Sequence, residues 1–431
     1  MTRFWVGGYG ADMSGDAEGI GVLATDAGGG PSTLRFRGVA AHVASASWLA
    51  AHPARDVVYA ALEGEGQVQA FARDGEASLR PLGAPLAAGA GVCHLAVSPA
   101  GRMLVASCYG DGRVVAFGIA GDGSLVPAAA DRAAALRAAL FGELRGCGSV
   151  PGADTPDVGP DAADRPTSGV SAPDSYAARD PHPTPAGEEL RGSHAHQAVF
   201  LPDGRIATTD TGLDLVRIWR PSTGSGVQAG SGTQAGSGTQ TGSGTQTGSG
   251  IQAGSGAQNR SAAQPGGLAL DHEVVLPRGT GPRHMLLHPS GHLHVVTEYS
   301  CEIFTLACAR DGRWGLRAAV PASPIAQIGV DLAAELAVSR DGDTLYTALR
   351  GSNTLAALRV RGGGDVLEPL ALADSGVDWP RHHLVYQGTL LVAGQRSNTV
   401  SAVDIDERTG APRDVRHSTP APTPTMILPA R

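Results

Sequence analysis

A unit of roughly 50 residues recurs along the chain. Each copy has an apolar strand, then Pro or a substitute, a small or acidic residue and Gly, and then further apolar strands separated by polar turns. The anchor residues Pro53 and Pro99 are 46 positions apart, and Pro289 and Arg340 are 51 apart. Six copies begin near Ser47, Cys93, His194, Pro282, Ala334 and Arg381. This period, with several short strands per unit, predicts small antiparallel sheets arranged around an axis, because an isolated sheet cannot bury both of its faces.

Two apolar segments near the start, residues 4–9 and 19–23, have no partner within the six copies. We expect them to join strands after Arg381 in a seventh sheet, because an open ring would expose strand edges. The abundant glycines, 61 in all, suit the many tight turns of such a ring. The prediction is therefore an all-β, seven-bladed β-propeller with four-stranded antiparallel blades, forming a single domain over residues 1–431.

Two segments interrupt the repeat. Residues 150–190 are rich in Pro, Asp, Ala and Ser, and residues 222–266 repeat Gly-Ser-Gly-Thr-Gln with small variations. Neither segment has the apolar periodicity of a strand or a helix, and both compositions are typical of disordered or flexible insertions. We expect the second to be a long surface loop between strands, and the first to be a spacer rather than a functional lid.

Charge and cysteine content narrow the class of partner. The formal net charge is −8 and no basic stripe is visible, which argues against nucleic acid. The five cysteines have no metal-binding spacing and are expected to be reduced, mostly buried thiols. The N-terminal residues lack the apolar run of a signal peptide, and no stretch of about 18 apolar residues occurs. We therefore expect a cytoplasmic protein without a membrane partner, a monomer or a weak oligomer.

Three motifs stand at corresponding points of successive units. They are Cys-His-Leu-Ala-Val-Ser-Pro at 93–99, His-Ala-His at 194–196 and Gly-Pro-Arg-His at 281–284. Together with Val-Val-Thr-Glu at 295–298, this series resembles the lactonase family of seven-bladed propellers. That family includes the propeller-type 6-phosphogluconolactonase and the fungal carboxy-cis,cis-muconate cyclase. The resemblance covers nearly the whole chain apart from the two insertions.

The resemblance implies a set of residues in the central channel. The implied catalytic residues are His196 (with His194 as the alternative), Arg283, Glu298 and Arg350. The implied substrate-binding residues are His194, His94, Arg381 and His382. The sequence departs from the family at Thr297 and Leu349, where Asn commonly precedes the Glu and the Arg.

These residue types suit the opening of a lactone ring. The reaction needs a base near the carbonyl carbon and donors for the developing oxyanion. Glu298 is a candidate base, His196 a candidate base or acid, and Arg283 and Arg350 candidate donors to an oxyanion, a phosphate or a carboxylate. No metal or other cofactor is expected, because His194 and His196 have no third ligand at a suitable spacing.

Each assignment has a structural alternative. The repeated histidines at the strand starts also suit turn capping, which is the preferred role for His94 and His284. Glu298 and Arg350 also suit turn positions, because both stand where a strand ends. Three functions remain open: a sugar lactone hydrolase, best represented by 6-phosphogluconolactonase of the pentose phosphate pathway; a cycloisomerase or another lactone hydrolase; and a non-catalytic binding or scaffold propeller.

Overall fold

The structure is a computed structural model that describes residues 1–127, 191–221 and 267–431. Regular structure in these residues is almost entirely β-strand, with two 3₁₀ helices, Ala11–Met13 and Pro31–Thr33. No helix in the described part of the chain is long and apolar enough to cross a membrane. The insertions predicted at 150–190 and 222–266 lie outside the described residues.

The strands form seven antiparallel sheets, here called blades 1 to 7 in chain order. Blade 1 contains β1 (Arg3–Gly8), β2 (Gly19–Ala24) and β3 (Arg35–His42), completed by the C-terminal strand. Blade 2 contains β4 (Ala46–Ala51), β5 (Val57–Leu62), β6 (Gln67–Asp74) and β7 (Ser78–Pro81), and β8 (Leu86–Ala87) also pairs with β6. Blade 3 contains β9 (Val92–Val97), β10 (Met103–Cys108), β11 (Val114–Ile119) and β12 (Leu125–Pro127).

The remaining blades follow the same plan. Blade 4 contains β13 (Ala195–Phe200), β14 (Ile206–Asp210), β15 (Leu215–Pro221) and β16 (Leu268–Val275). Blade 5 contains β17 (Pro282–Leu287), β18 (Leu293–Thr297), β19 (Glu302–Cys308) and β20 (Trp314–Pro321). Blade 6 contains β21 (Leu332–Val338), β22 (Thr344–Arg350), β23 (Thr354–Arg361) and β24 (Val366–Asp374). Blade 7 contains β25 (Pro380–Tyr386), β26 (Thr389–Gly394), β27 (Thr399–Ile405) and β28 (Pro412–Pro420), and β29 (Pro424–Pro429) returns to blade 1.

The inner strands close a ring around one axis. Strands β4, β9, β13, β17, β21 and β25 contact one another in that order, and β29 contacts both β25 and β4. The predicted seven-bladed propeller is therefore confirmed. The predicted joining of the chain ends is also confirmed, because β1 pairs antiparallel with β29. Only one C-terminal strand, β29, takes part in this joining, because the four strands that begin at Pro380 form a complete sheet of their own.

Two kinds of contact hold neighbouring blades together. Apolar side chains of adjacent sheets interdigitate, as in the buried cluster of Phe4, Val6, Leu391 and Ile427 between blades 7 and 1. A histidine that precedes the anchor proline also reaches the next blade in two places. His52 Nε2 lies 3.1 Å from the Gly101 carbonyl oxygen, and His288 Nε2 lies 2.7 Å from that of Gly342. These bonds satisfy turn carbonyls that the sheet itself leaves unpaired.

Removing apolar volume from β29 tests its role in closing the ring. Ile427→Ala should lower the free energy of unfolding by about 2–5 kcal/mol, because the side chain is fully buried between two blades. Urea unfolding followed by tryptophan fluorescence measures the change. The matched control is Ile325→Ala, whose side chain is exposed and which should change stability little. Equal effects of the two variants would show that β29 packing does not stabilise the ring.

Candidate active site

Every inner strand carries one extra residue where it starts, and these residues surround the axis. In the pairing of β17 with β18, Pro282 is opposite Thr297 and His284 is opposite Val296, so Arg283 is extra. The same β-bulge occurs in all seven inner strands. The extra residues form what we call the wall: Ser47, Cys93, His196, Arg283, Ala334, Arg381 and Thr425. Bulges re-aim side chains in this way beside many functional sites.

Two further layers lie on either side of the wall. The rim consists of the residues that end or directly follow the second strand from the axis in each blade, which in blade 1 is β1. They are Tyr9, Glu63, Tyr109, Thr211, Glu298, Arg350 and Gln395. The floor consists of the residues that directly follow the wall in blades 2 to 7: Trp48, His94, Gln197, His284, Glu335 and His382. Seven short segments thus bring to one axis side chains that are distant in the sequence.

Three residues of the predicted site form one buried ion-pair group. Glu298 Oε1 accepts a 2.7 Å hydrogen bond from Arg350 Nη2, and Glu298 Oε2 lies 3.4 Å from Arg283 Nε. Burial alone raises the pKa of Glu298, but the two arginines outweigh it and hold the pKa below its ordinary value. Glu298 is therefore an ionised carboxylate at neutral pH, held between two guanidinium groups.

The start of β21 fixes both guanidinium groups. Arg283 Nη1 donates to the Ala334 carbonyl at 2.9 Å, and Arg350 Nε and Nη2 donate to the carbonyls of Leu332 and Ala333. These acceptors lie at the bulge of β21, where the pairing with β22 is interrupted. The bulge in one strand therefore orients two arginines from neighbouring blades, and the Trp379 ring packs 5.4 Å from the Arg350 guanidinium.

His196 lies in the wall beside Arg283. Its ring centroid is 5.2 Å from that of His284 and 5.9 Å from that of Tyr109. Burial, then the charge of Arg283, lowers the pKa of His196 well below its ordinary value. The Nδ1 atom has no hydrogen-bond partner among the described residues. A neutral imidazole with a free nitrogen can accept a proton from water.

Trp48 occupies the middle of the floor. Its indole ring contacts His94, His284 and His382, with centroid separations of 4.3, 5.4 and 5.6 Å. Glu335 lies between two of these histidines, 3.0 Å from His284 Nδ1 and 3.6 Å from His382 Nε2. Burial lowers the pKa of His94 and of His284, which leaves both rings neutral. The floor is thus a packed aromatic layer.

The other two predicted residues are also beside the axis. His194 stacks on the Tyr109 ring at 4.6 Å, and its Nδ1 lies 2.6 Å from the Tyr109 carbonyl oxygen. Arg381 Nη2 donates to the Tyr9 hydroxyl at 2.7 Å, and Arg381 Nη1 donates to Gln395 Oε1. The structure therefore brings all eight predicted residues to the three layers or next to them. In the described part of the chain, no three His, Cys, Asp or Glu side chains are arranged to hold a metal ion.

The sequence interpretation missed several channel residues. It gave His196 the same position as His94, but His196 belongs to the wall, and Gln197 is the residue that corresponds to His94. It also missed Tyr9, Trp48, Glu63 and Tyr109. A signal for most of these is present: Tyr9, Glu63, Tyr109 and Arg350 each precede a glycine after the second strand of a blade.

Comparison with known proteins identifies the family. The family model for "Lactonase, 7-bladed beta-propeller" matches residues 3–134 and 259–429. This chain belongs to the lactonase family of seven-bladed β-propellers. An uncharacterised protein of Lactococcus lactis is 24% identical over 245 residues, which are 56% of this chain and 60% of that protein.

Two other relatives have names that describe an activity. A 6-phosphogluconolactonase of Yersinia pestis is 26% identical over 141 residues, 32% of this chain and 42% of that enzyme. The solved structure of a periplasmic gluconolactonase of Pseudomonas aeruginosa has a TM-score of 0.65 at 19% identity, covering 100% of this chain and 99% of that one. The curated alignments span less than two thirds of the relatives' length, and the structural likeness shows the fold.

The buried histidines of this lactonase-family channel predict how stability depends on pH. The pKa of His94 is lower in the folded chain than in the unfolded chain, so below pH 6.5 the unfolded chain binds the proton and the folded chain does not. The free energy of unfolding should then fall as the pH falls, by up to about 1.4 kcal/mol per pH unit for each such histidine.

Removing His94 measures its share of this dependence. Between pH 6 and pH 5, His94→Gln should lose stability less steeply than the wild type in urea unfolding experiments. The exposed His42→Gln is the matched control and should keep the wild-type slope. The comparison uses slopes, so the lost stacking on Trp48 does not affect it. An unchanged slope in His94→Gln would contradict a buried, neutral His94.

Proposed function

We propose that this protein hydrolyses a sugar lactone, opening the ring ester to a hydroxy acid. The observation that carries the proposal is the convergence of Arg283, Glu298 and Arg350 with the neutral His196 around the channel axis. These residues come from blades 4, 5 and 6. A binding or scaffold propeller has no need for buried charges at its axis, where each charge has to be compensated.

The wall and rim residues supply what the reaction needs. In the proposed mechanism, His196 Nδ1 takes a proton from the water that attacks the lactone carbonyl carbon. Arg283 and Arg350 stabilise the oxyanion of the tetrahedral intermediate. The two guanidinium groups are already oriented by the carbonyls of β21, so little reorganisation is required.

Glu298 acts in this mechanism as a positioning residue. Both oxygens of Glu298 face arginines, whereas His196 Nδ1 has no hydrogen-bond partner among the described residues. Its charge keeps Arg283 and Arg350 together, which otherwise repel each other. His196 is therefore the better candidate for the base, and Glu298 aims the oxyanion donors.

The names of the relatives suggest the first substrates to test. These substrates are 6-phosphoglucono-δ-lactone and glucono-δ-lactone, because the two relatives are named 6-phosphogluconolactonase and gluconolactonase. Hydrolysis of the phosphorylated lactone would place the protein in the pentose phosphate pathway and in the cytoplasm. A clearly lower KM for the phosphorylated lactone than for glucono-δ-lactone would identify the phosphate as a recognised group.

Substitution of the proposed base tests the mechanism. His196→Asn should lower kcat for lactone hydrolysis by about 100-fold or more, because general-base catalysis typically contributes that much. A pH-stat assay measures the acid released and is corrected for spontaneous hydrolysis. The exposed His42→Asn is the matched control and should keep wild-type kcat. If the wild type hydrolyses none of the lactones, the proposed function is wrong. If His196→Asn keeps wild-type kcat, His196 is not the base.

A further inference from the structure

A second carboxyl group lies at the rim, apart from the Arg283–Glu298–Arg350 group. Glu63 follows β5 in blade 2, and its exposed fraction is 3%. Glu298 belongs to blade 5, three blades away in one direction and four in the other, so the two carboxyl groups face each other across the axis. The mechanism above leaves Glu63 without a role.

The contacts of Glu63 differ from those of Glu298. Among the described residues no Lys, Arg or His side chain forms an ion pair with Glu63, and its Oε2 has no hydrogen-bond partner. Its Oε1 accepts a long bond, 3.4 Å, from the Tyr9 hydroxyl, which in turn accepts a 2.7 Å bond from Arg381. The hydroxyl of the neighbouring wall residue Ser47 faces the Glu63 carboxyl and lowers its pKa, but it makes no hydrogen bond of standard geometry among the described residues.

The buried Oε2 atom of Glu63 makes no hydrogen bond of standard geometry among the described residues, and this points to a ligand that satisfies it. An unpaired buried polar atom is destabilising, so such atoms are retained in folded proteins chiefly where they have a function. Glu63 belongs to blade 2, whereas the oxyanion donors Arg283 and Arg350 belong to blades 5 and 6.

We propose that Glu63 is the general acid of this site, which protonates the ring oxygen of the lactone as the ester bond breaks. The proposal rests on the proposed lactone hydrolysis and adds the catalytic group that the reaction still lacks. An alkoxide is a poor leaving group, so its departure needs a proton donor. His196 supplies the base on one side of the substrate, and Glu63 supplies the acid on the other.

Protons and bonds balance in this sequence. Water gives one proton to His196 as its oxygen bonds to the carbonyl carbon. The intermediate then collapses, the bond between that carbon and the ring oxygen breaks, and the ring oxygen takes the proton of Glu63. The product is a hydroxy acid, which ionises in solvent. The proton on His196 passes through water to Glu63, and both groups return to their starting states.

The electrostatics of the two carboxyl groups fit two different roles. Burial raises the pKa of Glu63, and Arg381, Ser47, Tyr9 and Arg283 offset this only in part. The pKa of Glu298 is shifted in the opposite direction by its arginines. Carboxyl groups whose surroundings move their pKa values apart are typical of acid and base pairs in enzymes.

The test compares two lactones that differ in leaving group. Glucono-δ-lactone releases an aliphatic alkoxide, whereas dihydrocoumarin releases a phenolate, whose conjugate acid has a pKa near that of tyrosine, about 10. Glu63→Gln should lower kcat on glucono-δ-lactone by about 100-fold or more, and on dihydrocoumarin by less than about fivefold. Glu65→Gln, an exposed residue of the same turn, is the matched control and should leave both values unchanged.

A pH profile on glucono-δ-lactone gives a second measurement, which decides the matter where dihydrocoumarin is not turned over. In the wild type, kcat should fall as the pH rises through the pKa of Glu63, and Glu63→Gln should lose this fall. Glu63→Asp keeps a carboxyl group and should regain part of the activity, and it replaces the Gln variant if that variant does not fold.

The outcomes separate the two proposals. Equal losses on both lactones, with an unchanged pH profile, would show that Glu63 is only structural and would overturn its role as acid. A wild type that hydrolyses no lactone would instead refute the proposed function itself.

Discussion

The site depends on one local distortion, the β-bulge at the start of each inner strand. Without the extra residue, Arg283 and Arg381 would keep the regular alternation of the sheet, in which neighbouring side chains point to opposite faces. With it, one additional side chain per blade lies beside the axis. The bulge of β21 also frees the carbonyls of residues 332–334, which orient Arg283 and Arg350. The same distortion therefore supplies the functional side chains and the acceptors that hold them.

Charge at the axis is balanced by different means around the ring. Arg283 and Arg350 share the carboxylate of Glu298, Glu335 contacts two neutral histidines, and Arg381 bonds to Tyr9 and Gln395. Buried charges cost several kcal/mol unless they are compensated, so these pairings are conditions for folding as well as for chemistry. Glu63 has no ion-pair partner among the described residues, and the charge of Arg381, which bonds to Tyr9, offsets the burial of Glu63 only in part. The local environment, more than the residue type, separates the roles of the carboxyl groups.

The sequence predicted the ring and the site residues because both follow from the repeat. The Pro-to-Pro spacing fixed the blades, and residues at equivalent points of blades must meet at the axis. The position of His196 within that ring was misjudged although the spacing gives it. His94 and His284 stand five residues before the anchor prolines Pro99 and Pro289, and the residue five before Pro202 is Gln197. Trp48 was missed because no other blade has a tryptophan at that position, whereas Glu63 was missed although it precedes a glycine, as Tyr109 and Arg350 do.

In most blades, the position of the left-handed turn is restricted by the fold, whereas the rim position is free to vary. Three residues after the rim, in blades 2 to 7, the chain turns through the left-handed region, at Gly66, Gly112, Asp214, Cys301, Asn353 and Asn398. Gly, Asn and Asp tolerate this conformation best, so the turn restricts that position strongly. The rim residue itself makes no such demand on the backbone and differs widely between blades, as Glu63, Tyr109, Glu298 and Arg350 show. A propeller of this kind can therefore change its chemistry at the rim while its turns keep the ring intact.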